Sequence, residues 1–180
     1  MPINTFKAAI KEDANVKKLR LLLKKGAFSI KAEARIQELK TMHTTRKVRQ
    51  LKFKEVVRDM QTHLGEAVID SQTTRSRAVE IKTACTEISM TLEDHLKKLT
   101  KFLKITYATQ LRASGYTTVT AQSDAVNNIP TIANAYTHLR DIEKVIKICD
   151  LLIDDIDKSY FNLQLLTRVF EVSTRPERNL

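Results

Sequence analysis

The stretch PTIANAYTHLRDIEKVIKICDLLIDDIDKSYFNL, residues 130–163, holds two interlocking seven-residue rows of apolar side chains. Ile132, Leu139, Ile146, Ile153 and Tyr160 form the first; Ala135, Ile142, Cys149, Ile156 and Leu163, three residues on, form the second. Residues three and four apart return to one face only in an α-helix, so the stretch predicts a long helix with one buried side. Pro130 suits its first turn, where the missing N–H would be unbonded anyway, and Asn127 and Asn128 supply capping chemistry just before it. The stripe runs on through Leu166 and Phe170, with a kink expected near Ser159 and a frayed tail over 173–180.

A partner for this helix is legible upstream, between Ile36 and Thr106. One row there is Ile36, His43, Gln50, Val57, Leu64, Ser71, Ala78, Cys85, Leu92, Leu99 and Thr106. The other is Leu39, Arg46, Phe53, Met60, Ala67, Thr74, Ile81, Ile88, His95 and Phe102. Two polar gaps interrupt them, one at His43, Arg46 and Gln50, the other at Ser71 and Thr74. The phase is kept across both gaps, and Gly65 is the one glycine between Gly26 and Gly115. Preserved phase predicts a single continuous helix of about 75 residues, about 110 Å long at 1.5 Å per residue. The competing reading places a turn in 70–77 and folds the stretch into an antiparallel hairpin. Val68, Ile69, Leu96 and Leu103 lie beside the seam and widen it, as in a bundle rather than a bare two-stranded coil.

The ends are less regular. Phe6, Ala9, Ile10, Val16, Leu19 and Leu23 predict one short amphipathic helix, stopped at Lys24-Lys25-Gly26, with Ser29 placed to cap the next. After Leu111, Gly115 and the β-branched run Thr117–Thr120 predict a loop over 113–124. The expected fold class is therefore all-α: an elongated helical bundle or coiled-coil hairpin made from a very long central helix, a long C-terminal helix packed along 78–105, and a short basic N-terminal helix. The corresponding organisation is a basic region 1–68, a helical core 69–172 and a tail 173–180.

Composition agrees with that class. Hydrophobic residues at 42% and charged residues at 29% exclude a disordered chain and a membrane-embedded one, and only 3 Gly and 3 Pro in 180 residues leave too little punctuation for a β-rich fold. No apolar run approaches the roughly 18 residues that would span a bilayer, and the N-terminus lacks the apolar core of a secretory signal. Cys85 and Cys149 fall on helical seams as inert thiols, which suits a reducing compartment. The expected location is intracellular: cytoplasm, nucleus or the interior of a virus particle.

The formal charge of +10 is confined to the first third. Residues 1–60 contain 16 Lys and Arg against 6 Asp and Glu, whereas the remaining residues contain 15 of each. Such segregation creates a directional field suited to a polyanion or an acidic protein surface. The candidate polyanion-binding residues are Lys17, Lys18, Arg20, Lys24, Lys25, Arg46, Lys47, Arg49, Lys52 and Lys54. Ile36, Leu39, Phe53, Val57, Met60 and Leu64 have no evident intrachain cover and are the candidate interface with another copy or another protein. Asp150, Asp154 and Asp157 share one helix face at i, i+4 and i+7, either solvated or meeting the basic third.

Chemistry-bearing patterns are absent. The four histidines are isolated, neither cysteine has a ligand-spaced partner, and no Gly-rich phosphate loop or nucleophile with a neighbouring base occurs. No catalytic, cofactor-binding or metal-binding residue is assigned, and no cofactor or small-molecule substrate is expected. Two functions remain: a non-enzymatic structural or scaffolding subunit whose basic region contacts an acidic surface, or a sequence-independent DNA- or RNA-binding protein. Base stacking is a weak option for the second, since aromatic residues are only 6% and Trp is missing.

Overall fold

The structure, a computed structural model, describes residues 3–55 and 60–174, with side-chain surroundings for 6–48, 64–166 and 168. Seven helices are described and no strand: α1 Ile3–Glu12, α2 Ala14–Lys24, α3 Ala32–Glu55, α4 Met60–Thr106, α5 Ala108–Ala113, α6 Val119–Asn127 and α7 Pro130–Thr174. The all-α architecture, with a very long central helix packed against a long C-terminal helix, is the one the two heptad registers predict.

Two compact units divide the chain. The first comprises residues up to 32 together with 85–144; the second comprises 33–84 and everything from 145 onward. Residues of both α4 and α7 belong to each unit.

In the second unit α3 lies alongside α4 and α7. Arg75 pairs with Asp157 at 2.7 Å and Lys82 with Asp150 at 2.6 Å, so α4 and α7 are antiparallel there. The Arg77 guanidinium meets Glu38 of α3 at 2.7 Å. In one continuous helix Glu38 and Arg77 would stand about 58 Å apart. The expectation of a single helix from Ile36 to Thr106 is therefore wrong, although the phase it rested on is real: α3 carries Leu39 and Arg46 buried on its inner face. The alternative turn over 70–77 is also wrong, since that stretch is helical within α4. Side-chain preferences of Ser71 and Thr74 do not break it because both are buried in the seam, and Ser71 returns its hydroxyl to the Ala67 carbonyl at 2.8 Å. Leu64, Ala67 and Leu163 close an apolar cluster, with Val68 against it.

Along α4 the row Leu64, Ala78, Cys85, Leu92 and Leu99 stays buried throughout. Its companions change. Ala67, Thr74 and Ile81 serve in the second unit; Leu96 and Leu103 take over in the first, leaving His95 and Phe102 facing outward. A straight α-helix of 3.6 residues per turn drifts about 20° per heptad, and the change from one companion row to the next is that drift. The same exchange occurs on α7, where Val145 and Leu152 are buried in place of Ile146 and Ile153.

The first unit holds the shorter helices. The expected single N-terminal helix is two, because Asp13 interrupts it: its carboxylate accepts from Asn15 N at 2.8 Å, capping α2. Phe6, Ile10, Val16, Leu19 and Phe28 are buried. Gly26 ends α2 as expected, at φ 72°, with Ala27 N donating to Leu22 O and Gly26 N to Leu23 O, a Schellman closure. Gly115 repeats it after α5, with Tyr116 N on Leu111 O. Ser29 does not cap the next helix; its N–H is spent on Gly26 O, and α3 begins at Ala32. The loop expected over 113–124 shrinks to 114–118, since the Thr118 hydroxyl caps Ala121 N at 3.1 Å and lets α6 start in the β-branched run. α7 begins at Pro130 as predicted.

Candidate polyanion-binding surface

Burial of Val16 and Leu19 fixes the rotation of α2 and turns its cations outward on two flanks. On one flank, Lys18 and Asn15 face His95, Lys98 and Phe102 of α4 across a cleft of about 410 Å³ floored by Leu19, Leu22 and Leu99. On the other, Arg20 and Lys24 face the start of α7 across a cleft of about 290 Å³ that includes Thr131 and Asn134. Arg20 donates to the Thr131 hydroxyl at 3.4 Å and to the Lys11 carbonyl at 3.5 Å. Lys17 is held by Glu12 at 2.6 Å, and this contact keeps the Glu12 carboxyl below its ordinary range. Lys18, Lys24 and Lys25 are exposed and, among the described residues, have no carboxylate at ion-pairing distance. The first unit as a whole carries 15 Lys and Arg against 8 Asp and Glu; the second carries 16 against 13.

The remaining candidate cations do not join this surface. Arg46 is 1% exposed, and its Nη2 donates to Asp155 Oδ2 and, at 3.3 Å, to His43 Nδ1. Arg46 is not on the surface as a phosphate ligand would be: it lies on the inner face of α3, where Asp155 compensates its charge. Its Nε and Nη1 are buried without partners among the described residues. Burial, followed by the charges of Lys47 and Arg46, pushes the His43 imidazole below its ordinary 6.5, with Asp155 opposing. Lys47 is exposed on the outer face of α3. The side chains of Arg49, Lys52 and Lys54 lie outside the described residues.

Among the candidate interface residues, Leu39 and Leu64 are buried within the chain and Ile36 is half-buried. Leu64 takes its cover within the chain, from Ala67 and from Leu163 of α7. Val57 and the side chains of Phe53 and Met60 lie outside the described residues. The acidic face is engaged: Asp150 with Lys82, Asp157 with Arg75, Asp154 with Lys158. The carboxylate seen to meet the basic third is Asp155, a neighbour outside that face, through Arg46.

Sequence reasoning missed the α2–α4 cleft, which depends on His95, Lys98 and Phe102 being outside the seam. The signal available was the pair Leu96 and Leu103, which compete with His95 and Phe102 for the inner face and win. Cys85 and Cys149 are both buried, and neither is in a disulfide. Among the described residues no helix is long and apolar enough to cross a membrane. Compared with protein-family models, curated proteins and solved structures, the chain finds no match.

Proposed function

We propose that the protein is a non-enzymatic structural or scaffolding subunit that uses the cationic surface around α2 to contact an acidic protein surface. The observation that carries this reading is the gathering of exposed cations on one helix, α2. Arg46, Arg75, Arg77 and Lys82 of the second unit, by comparison, spend their charge on carboxylates of the same unit. On α2, Lys18, Lys24 and Lys25 have no such partner among the described residues, and two clefts lie beside them. Uncompensated, exposed cations gathered on one element raise the rate and strength of encounter with an opposite charge. An intracellular setting belongs to this reading on the strength of cysteine usage.

A second reading, sequence-independent binding of DNA or RNA, draws on the same lysines, since flexible cations neutralise phosphates without reading bases. Light scattering after size exclusion, with immobilised poly-glutamate and a labelled oligonucleotide as probes, tests both. Retention on poly-glutamate that salt reverses supports the proposal. A compact monomer retained by neither probe at 50 mM salt sinks both readings, and tight oligonucleotide binding with a steep salt dependence moves the function to the second.

A further inference from the structure

The α2–α4 cleft differs from the rest of the cationic surface in having an apolar floor. Leu19 and Leu99 are buried beneath it, Leu22 is half-buried, and Phe102 forms one wall while remaining 42% exposed. Among the described residues no carboxylate lines it, and the polar lining is Asn15, Lys18, His95 and Lys98. Among them Lys18 has no counter-ion, and that of Lys98 is Asp94, an exposed i, i+4 partner at 2.6 Å. An exposed pair of that kind is held weakly and gives way to a better-placed carboxylate. The volume, about 410 Å³, is at the small end of ligand pockets, enough for one large side chain or a small molecule. The apolar stripe does not stop at the cleft. Ile105, three residues beyond Phe102 on the same face of α4, is 69% exposed, so the surface that asks for cover is longer than the cavity.

We propose that this cleft is the specificity pocket of the acidic-partner surface: it receives one large apolar side chain from an acidic amphipathic segment of a partner protein, whose flanking carboxylates pair with Lys18 and Lys98. The inference rests on the proposed function and adds to it the chemistry of the partner. Charge complementarity supplies the sign, because cations without lining carboxylates select Asp or Glu beside the anchor. The apolar floor supplies what a bare acidic surface or a phosphate backbone cannot use. The exposed continuation through Ile105 favours an extended segment over a small anionic molecule.

The test uses the full chain and two synthetic peptides of equal charge. Each is a twelve-residue Asp/Glu-rich helix former, one with Phe and Leu at i and i+4, the other with Ala at both places. A fluorescein-labelled single-stranded oligonucleotide is the third probe. Fluorescence anisotropy should show the Phe/Leu peptide binding at least about tenfold more tightly than the Ala peptide, the factor that corresponds to about 1.4 kcal/mol. Phe102→Ser should abolish that preference. Phe102 is partly exposed, so circular dichroism of this variant should show native helicity. Lys18→Glu should weaken both peptides. Equal binding of the two peptides overturns the pocket and leaves the charge-only reading standing. No binding of either peptide overturns both. Oligonucleotide binding stronger than both peptides and indifferent to Phe102→Ser also overturns the pocket, and transfers the surface to nucleic acid.

Discussion

Arg46 sets the strongest constraint at the scale of single residues. A guanidinium that is 1% exposed, with two donor nitrogens lacking partners, has surrendered its hydration for a carboxylate and an imidazole on one side only. Breaking such a pair from the carboxylate side strands the charge, whereas replacing the cation by a hydrophobe of similar length removes the desolvation cost with it. Asp155→Ala should therefore destabilise the protein by about 2 to 4 kcal/mol, toward the lower end because Asp155 is itself 43% exposed. Arg46→Leu should be close to neutral or stabilising. Urea denaturation of the two variants checks the asymmetry, and equal losses would refute it. His43 adds a pH dependence whose sign follows from its surroundings. Its folded pKa lies below the ordinary 6.5, so the unfolded chain binds the proton more readily. Stability from this group is complete above that value and declines as pH falls through and below it. Melting temperatures from pH 8 to 5 should drop further for the natural chain than for His43→Gln. Glu38, held low by hydrogen bonds from Arg77 and Arg35, contributes in the same direction at lower pH, below its ordinary 4.5.

At the scale of elements, the three glycines divide by conformation. Gly26 and Gly115 sit at φ 72° and 91°, where a Cβ meets the following carbonyl, while Gly65 is in the interior of α4 with nothing within 4 Å of an added Cβ. Gly65→Ala should stabilise by about 0.5 to 1 kcal/mol, because alanine loses less backbone entropy on folding. Gly26→Ala and Gly115→Ala should each cost about 1 kcal/mol or more. Thermal melts of the three variants read the opposite signs directly. These positions also show why some of the fold was legible and some was not. Schellman closures and the Pro130 start are written in one or two residues with a local mechanism, so they could be read from the chain. The reversal between α3 and α4 has no such mark: the heptad phase continues across it, and phase reports which face is buried but not against what. Leu39 and Leu64 are on the right face, yet whether their cover comes from a second molecule or from the same chain depends on contacts far apart in sequence, such as Glu38 with Arg77. The α2–α4 cleft was hidden for a related reason. Seven-residue counting puts His95 and Phe102 inside, and only the accumulated drift of a 3.6-residue helix turns them out.

For the whole molecule, the decisive quantity is how many of its cations are available at once. The net charge of +10 overstates the binding surface, because Arg46 is buried, Lys17 is tied to Glu12, and the arginines of α4 are paired across their own unit. Among the candidate cations whose side chains are described, those left on α2 are Lys18, Lys24 and Lys25, with Arg20 half-buried between them and α7, while Lys47 stands exposed on α3. A polyanion bound by these α2 sites alone should show a shallow salt dependence. With single-stranded nucleic acid, each phosphate neutralised takes about 0.7 from the slope of log K against log salt, so three or four contacts give a slope of about −2 to −3. Ten contacts, the number the sequence offers, would give about −7. Reversing Lys18, Lys24 and Lys25 to Glu should remove nearly all of the measured slope for any anionic probe, whereas Arg46→Leu should leave it unchanged. A slope near −7, or one that survives the triple reversal, would place the working cations on α3 instead, at Lys47 and the residues that follow it, and would make α2 a bystander.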